Sequence, residues 1–145
     1  MANTTFSGPV TSTNGFVGNV TGNVTGEVTG AVSASTLALT GVSGAITARA
    51  GGGKGSATAL TAVVNRVTTV ATAADSVLLP APTAVGQILI IDNRGANACQ
   101  VFGQGTDTID GVATGTGISQ AAGTTGLYIA MTTGTAAVWS LLLGA

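Results

Sequence analysis

The sequence is organised around residues 16–32, FVGNVTGNVTGEVTGAV, in which an apolar residue returns at every fourth position. These apolar residues are Phe16, Val20, Val24, Val28 and Val32, and a glycine stands midway between each neighbouring pair. In an extended chain both series lie on one face, because alternate residues of a strand point the same way. A helix is disfavoured, since each glycine costs about 1 kcal/mol relative to alanine in a helix interior.

A single strand of this sequence is also a poor solution. It would run roughly 56 Å, at ~3.3 Å per residue, with its apolar side chains in water. If several copies wind together, the valines are buried and the glycines let the backbones approach closely. We therefore predict that residues 16–50 form an extended, intertwined stem that joins copies of the chain into a homotrimer.

Composition limits the kinds of function that the chain can have. Charged residues make up 6% of the chain, aromatic residues 3%, the net charge is −1, and there is no histidine. The mean hydropathy of +0.55 argues against disorder. A chain with so little net charge has no basic field for nucleic acid or anionic lipid, and without histidine it lacks the commonest metal ligand and general base. We expect no enzymatic activity, no cofactor, and neither a nucleic acid nor a membrane as partner.

Targeting signals are also missing from the sequence. No apolar run reaches the ~18 residues of a membrane helix, and the N-terminus lacks the basic start and apolar block of a signal peptide. Cys99 is the single cysteine, so an intrachain disulfide is impossible. These features predict synthesis in a cytoplasm.

Two short segments flank the stem. Residues 1–15 are small and polar, with Phe6, Pro9 and Val10 as the apolar anchors, and they predict either an arm that lies on a partner surface or a linker ordered by its neighbours. Residues 51–56, GGGKGS, resemble a phosphate-binding loop, but that motif requires Ser or Thr directly after the lysine, where Gly55 stands. No strand pattern leads in and no helix pattern leads out, so we predict a flexible hinge.

Residues 57–145 consist of short β-type runs separated by turn residues, which predicts an all-β sandwich or barrel. Residues 88–91 are apolar on both faces and predict a central strand, and the last strand is also predicted to be covered on both faces. The predicted strands are 59–64, 66–72, 76–79, 87–92, 98–102, 106–109, 116–119, 126–132 and 136–143.

Few side chains in this region are suited to chemistry. Asp107 and Asp110 offer two carboxylates near a turn, which fits either a calcium site or a turn stabilised by its own hydrogen bonds. Cys99 has no histidine partner and predicts a small buried residue. Arg66 and Arg94 are predicted either to form ion pairs, with Asp75, with Asp92 or across subunits, or to lie on a solvated surface. The side chains of Trp139, Tyr128 and Phe102 are predicted to pack in the core or an interface, because no basic residues stand between them.

The repeat GNVTGNVTG at residues 18–26 resembles the tetrapeptide repeats of bacteriophage fibre, spike and capsid-decoration proteins. Residues 75–80, 86–91, 93–97 and 105–111, with Val101, Phe102 and the late Trp139, are similar to small β-sandwich modules of phage virion proteins. The resemblance implies a homotrimeric virion component with a stem or capsid-binding N-terminal part and an outward-facing, jelly-roll-like β domain.

Three hypotheses follow for function. The first is a capsid decoration (cement or head-fibre) protein on the capsid exterior, made in the host cytoplasm, which binds the major capsid protein through three N-terminal arms and gains avidity from that multivalency. The second is a short tail fibre or tip whose β domain binds a host-surface glycan, which requires exposed aromatic side chains in a concave site. The third, a small enzyme such as a glycan hydrolase, is disfavoured by the missing histidine and sparse carboxylates.

Overall fold

The structure is a computed structural model that describes residues 38–39 and 41–144. The chain divides into two units, residues 1–36 and residues 37–145, and the description below concerns the second unit. The predicted arm and the repeats of the predicted stem lie outside the described residues.

The described unit is built from ten strands and one short 3₁₀ helix, which confirms the all-β prediction. No helix in this part of the chain is long and apolar enough to cross a membrane. The strands are β1 (Val42–Thr47), β2 (Thr58–Ala59), β3 (Val64–Thr69), β4 (Ser76–Leu78), β5 (Ile88–Asn93), β6 (Cys99–Phe102), β7 (Thr108–Ile109), β8 (Ile118–Gln120), β9 (Thr125–Ala130) and β10 (Val138–Gly144), and the 3₁₀ helix is Lys54–Ser56.

The first eight strands alternate between two sheets. A large sheet has the order β1-β3-β5-β9-β10-β7, and a small sheet has the order β2-β4-β6-β8. We call one passage of the chain through the large sheet and then the small sheet a circuit, and each circuit adds one strand to each sheet. The strands of successive circuits are parallel: β1 with β3, β3 with β5, β2 with β4, and β4 with β6. This arrangement differs from a jelly roll, whose strands are antiparallel.

Antiparallel pairing follows the parallel region. In the large sheet β9 pairs with both β5 and β10, and in the small sheet β8 pairs with β6. Strand β7 closes the large sheet by a parallel pairing with β10. The chain thus turns back on itself only after three circuits have been laid down.

One core cluster draws residues from both sheets. Val67, Ile91 and Tyr128 contribute from the large sheet, and Val77 and Val101 contribute from the small sheet. All five are fully buried. Because a single cluster receives side chains from both sheets, the inner faces of the two sheets share one hydrophobic core.

A close backbone contact between two connections requires glycine. A Cβ atom at Gly95 would lie 2.5 Å from Cγ2 of Val70 and 2.7 Å from its backbone nitrogen. Val70 is buried and belongs to the core. Any side chain at position 95 would therefore push the connection after β5 away from the connection after β3.

Most of the predicted strands are present within a few residues of their predicted bounds, and residues 59–64 are the exception. The structure ends β2 at Ala59 and begins β3 at Val64, so the residues between them connect the two sheets. Leu60 is buried there, and its N–H donates to the carbonyl of Leu78 at 2.9 Å. The apolar character of this segment comes from a buried connection and not from a strand.

The end of the predicted stem also has a different place in the structure. Residues 42–47, inside the predicted stem of residues 16–50, form β1 at the edge of the large sheet and pair with β3 from Val42↔Val64 to Thr47↔Thr69, with irregular register near Ile46. The sequence gives no local sign of this pairing, because the partner strand is parallel and lies beyond the glycine-rich segment.

Candidate functional site

The residues predicted to form the oligomer stem are Phe16, Val20, Val24, Val28 and Val32, and those of the candidate capsid-contact arm are Phe6, Pro9 and Val10. All of them lie outside the described residues, so both assignments stay predictions.

The glycine-rich segment 51–56 is held by bonds to other parts of the unit. Gly51, Gly52 and Gly53 have φ angles of 80°, 68° and 85°, the left-handed region that glycine adopts without strain. The ammonium group of Lys54 donates to the carbonyl oxygens of Gly105 and Thr114, the latter at 3.3 Å. The lysine that would bind a phosphate is thus already engaged with the backbone.

Asp75 is the buried anchor of this segment. Its carboxylate accepts hydrogen bonds from the N–H of Ala71 at 2.7 Å, the hydroxyl of Thr72 at 2.7 Å and the N–H of Gly51 at 3.2 Å. The Thr72 hydroxyl bond, together with the backbone bonds, lowers the pKa of Asp75 although burial opposes the shift. The N–H of Gly51 therefore points at a carboxylate of the same chain, which argues against an anion site in the loop.

Asp107 and Asp110 tie the β7 region to β10. Oδ1 of Asp107 accepts from the N–H of Ala137 at 2.8 Å, and Oδ1 of Asp110 accepts from the N–H of Leu141 at 3.1 Å. Within residues 38–39 and 41–144, no group of three or more Asp, Glu, Cys or His side chains could hold a metal ion. Of the two roles open from the sequence, these contacts favour the structural one, although the bonds reach a neighbouring strand and not the local turn.

Asp92 forms the predicted ion pairs. Its carboxylate lies 3.2 Å from Nε of Arg66 and 2.7 Å from Nε of Arg94, and it also accepts from the hydroxyl of Thr125 at 3.1 Å. Both arginines are about half exposed. Each pair therefore contributes at most about 1 kcal/mol to stability.

A buried polar bridge between the sheets is the feature that sequence reasoning missed. Gln120 of β8 accepts a hydrogen bond from the Tyr128 hydroxyl of β9 at 2.9 Å and donates to the carbonyl of Ile91 of β5 at 2.9 Å. The side chain of Asn93 donates to the backbone carbonyl of Gln120 at 3.0 Å. Gln120, Asn93 and Tyr128 are fully buried, and burial raises the pKa of Tyr128 far above its usual range.

The predicted packing roles of Cys99 and the three aromatic residues agree with their burial. Cys99, Tyr128 and Trp139 are fully buried, and Phe102 is 4% exposed. Burial, assisted by the charge of Asp75, raises the pKa of the Cys99 thiol to about 12. The thiol is therefore unreactive, and these aromatic rings are not available to stack on a ligand.

An open cleft of about 250 Å³ lies where the connection after β6 meets the connection before β10. Its lining includes Gln104, Thr106, Asp107 and Thr135, with small residues between them. No aromatic ring lines it, and Asp107, its single carboxylate, is bonded to the backbone. This lining carries no acid–base pair for catalysis.

The outer face of the large sheet carries the most distinctive surface of the described unit. A single line of register crosses five strands through Val42, Val64, Ile90, Leu127 and Leu142. Residues paired in register lie on the same face of a sheet. We call these five residues the apolar row.

The apolar row continues into a second line. Ile88 pairs with Ile129, two residues along the strands from Ile90 and Leu127. Val42 is 62% exposed, Leu142 66% and Ile88 43%, while the central members of the row are half-buried. The apolar row with Ile88 and Ile129 forms what we call the apolar face, and none of its members is charged.

In comparisons with known proteins, no protein-family model, no curated protein and no solved structure matches this chain.

Proposed function

We propose that this chain is a non-enzymatic virion structural protein, a homotrimeric capsid decoration protein of the cement or head-fibre type that binds the major capsid protein. In this proposal residues 16–32 wind together with their counterparts, residues 1–15 contact the capsid, and the two-sheet unit projects from the capsid exterior. No cofactor takes part.

One observation carries the proposal: a Val/Gly repeat is followed in the chain by a β unit whose carboxylates bond to groups of that same unit. Asp75, Asp107 and Asp110 accept backbone hydrogen bonds, and Asp92 is paired with arginines. An enzyme needs a polar group free to exchange a proton or attack a substrate. A unit whose carboxylates accept hydrogen bonds from its own backbone suits a structural role better than a catalytic one.

The tail-fibre alternative needs a glycan platform of exposed aromatic rings. Phe102, Tyr128 and Trp139 are all buried, and the open cleft lacks an aromatic wall. Flat apolar rings against sugar faces are the usual means of holding a glycan at a protein surface, so the described unit favours the decoration role.

The experiment that separates the two roles is the location and copy number of the chain on purified virions. We expect antibody-gold label over the whole head and, by quantitative gel, dozens to hundreds of copies for each particle. Label restricted to the tail, at the level of a few trimers, would overturn the decoration role and support the fibre. Binding of the full chain to a glycan array is the complementary measurement, and we expect none.

A further inference from the structure

We infer that the apolar face of the large sheet packs against a second copy of the same chain, so that copies associate through their β units as well as through their repeats. The inference rests on the proposed homo-oligomer and names the surface that completes it.

The apolar face is exposed in a single copy of the chain. The sequence predicts strands apolar on both faces at residues 88–91 and at the last strand, and in one copy only the inner face is covered. Leu89, Ile91 and Trp139 are buried inward, while Ile88 and Leu142 face outward and are exposed. An uncharged aliphatic row that spans five neighbouring strands is typical of a surface that is covered in the functional assembly.

Only a short length of chain separates the repeat from this face. Val42, the first residue of β1, belongs to the apolar row. The chain from Val32 to Val42 can span at most roughly 36 Å when fully extended. Copies joined at the repeats would therefore hold their apolar faces at an effective concentration on the order of millimolar, which makes another copy the favoured occupant.

The charges on the outer face of the large sheet lie beside the apolar row. The ion-paired group of Arg66, Asp92 and Arg94 follows the apolar row on the same face, because Arg66 is aligned with Asp92 and Asp92 with Thr125. Each group carries two positive charges and one negative charge, so two such groups facing each other directly would repel. The copies are thus expected to meet at the apolar row, with the arginines at the polar rim, the usual anatomy of an interface.

The test uses two cysteine variants of the full chain with nearly equal exposure in a single copy. Leu142→Cys places a thiol on the apolar face, where the native residue is 66% exposed, and Val85→Cys places one in a turn, where the native residue is 68% exposed. The native Cys99 is fully buried and contributes no background in the folded protein. Alkylation with iodoacetamide is followed by mass spectrometry, and sedimentation velocity of the same samples reports the oligomeric state.

We expect Leu142→Cys to be alkylated about tenfold more slowly than Val85→Cys, because a thiol on a covered face reacts only while the contact is open. Both should react equally in urea. A sample that sediments as an oligomer but alkylates both thiols at the same rate would overturn the interface while leaving the repeat-based oligomer intact. A sample that sediments as a monomer, with equal rates, would overturn both.

A charge variant supplies the independent check. Leu142→Asp places a carboxylate at the β10 end of the apolar row, inside the inferred contact, but leaves the exposed side chain of a single copy in water, so we expect retained folding with weakened self-association. Val85→Asp is its matched control and should keep the native mass. Equal self-association of the two variants would contradict the interface.

Discussion

The hydroxyl of Tyr128 offers a direct measure of how firmly the two sheets are joined. Tyr128→Phe removes one buried hydrogen bond of 2.9 Å and leaves Oε1 of Gln120 without its donor in a fully buried site. A buried acceptor that loses its donor costs about 1–3 kcal/mol of the free energy of unfolding. The ring itself keeps its packing, so this cost reports the bond and not a cavity.

A double-mutant cycle then assigns the cost to the pair. Gln120→Leu should cost more, about 2–4 kcal/mol, because the carbonyls of Ile91 and Thr124 also lose a donor. In the Tyr128→Phe background the same change should cost less by about 1 kcal/mol, since the shared bond has already been lost. Additive costs would show that the hydroxyl and the amide do not act on each other.

The assay is urea unfolding followed by the fluorescence of Trp139, the single tryptophan, which is fully buried. The protomer concentration is held constant, because association shifts apparent stability. Ser119→Ala is the control on the same strand as Gln120, at an exposed position, and should change the free energy of unfolding by less than about 0.5 kcal/mol. If Tyr128→Phe is as stable as this control, the bridge does not stabilise the unit.

Three further predictions concern other parts of the structure. Because the pKa of Asp75 is lowered in the folded protein, its carboxylate stabilises the fold fully at pH values above the ordinary carboxyl pKa of 3.8, and this contribution is lost progressively as the pH falls from there through the lowered pKa. The stability difference between wild type and Asp75→Asn should therefore shrink on acidification, and a constant difference in urea midpoint between pH 7 and pH 3 would contradict this. Cys99 should not react with a thiol reagent at pH 8 until urea unfolds the protein, and rapid labelling of the native chain would refute its burial. Gly95→Ala should lower the free energy of unfolding by about 1–3 kcal/mol, because the added Cβ would clash with Val70. Gly44→Ala is the control, with open space around the added Cβ, and should change the free energy of unfolding by under about 0.5 kcal/mol. Equal urea midpoints for the two variants would refute the close contact at Gly95.

Local periodicity predicted much of the strand content. The run at residues 88–91 predicted a central strand, and β5 is Ile88–Asn93 between β3 and β9. The sequence also predicts Asp92 as one of the two carboxylates open to Arg66 and Arg94, but it does not choose Asp92 over Asp75. These features depend on near neighbours in the sequence or on the small number of charges.

Local periodicity could not predict that the chain alternates between two sheets with parallel pairing inside each. Pairs such as Val42↔Val64 join residues separated by a whole circuit of the chain, and no local pattern identifies such partners. The burial of Gln120 could not be predicted for a related reason, because the local pattern of a polar residue at the end of a strand predicts an exposed side chain. Its burial depends on Tyr128 and Ile91, which reach it from the other sheet.

The strand order has a consequence for how the chain folds during synthesis. Strands β1, β3 and β5 are synthesised early. The second neighbour of β5 in the sheet is β9, which is synthesised only after β6, β7 and β8. Pairings of such long sequence separation form slowly, and strands that wait for partners are exposed to aggregation. The antiparallel pair of β9 and β10 is the most local in the large sheet, so we expect it to form first and to serve as the template on which the earlier strands assemble. Folding of this unit would then run from its last strands back towards its first.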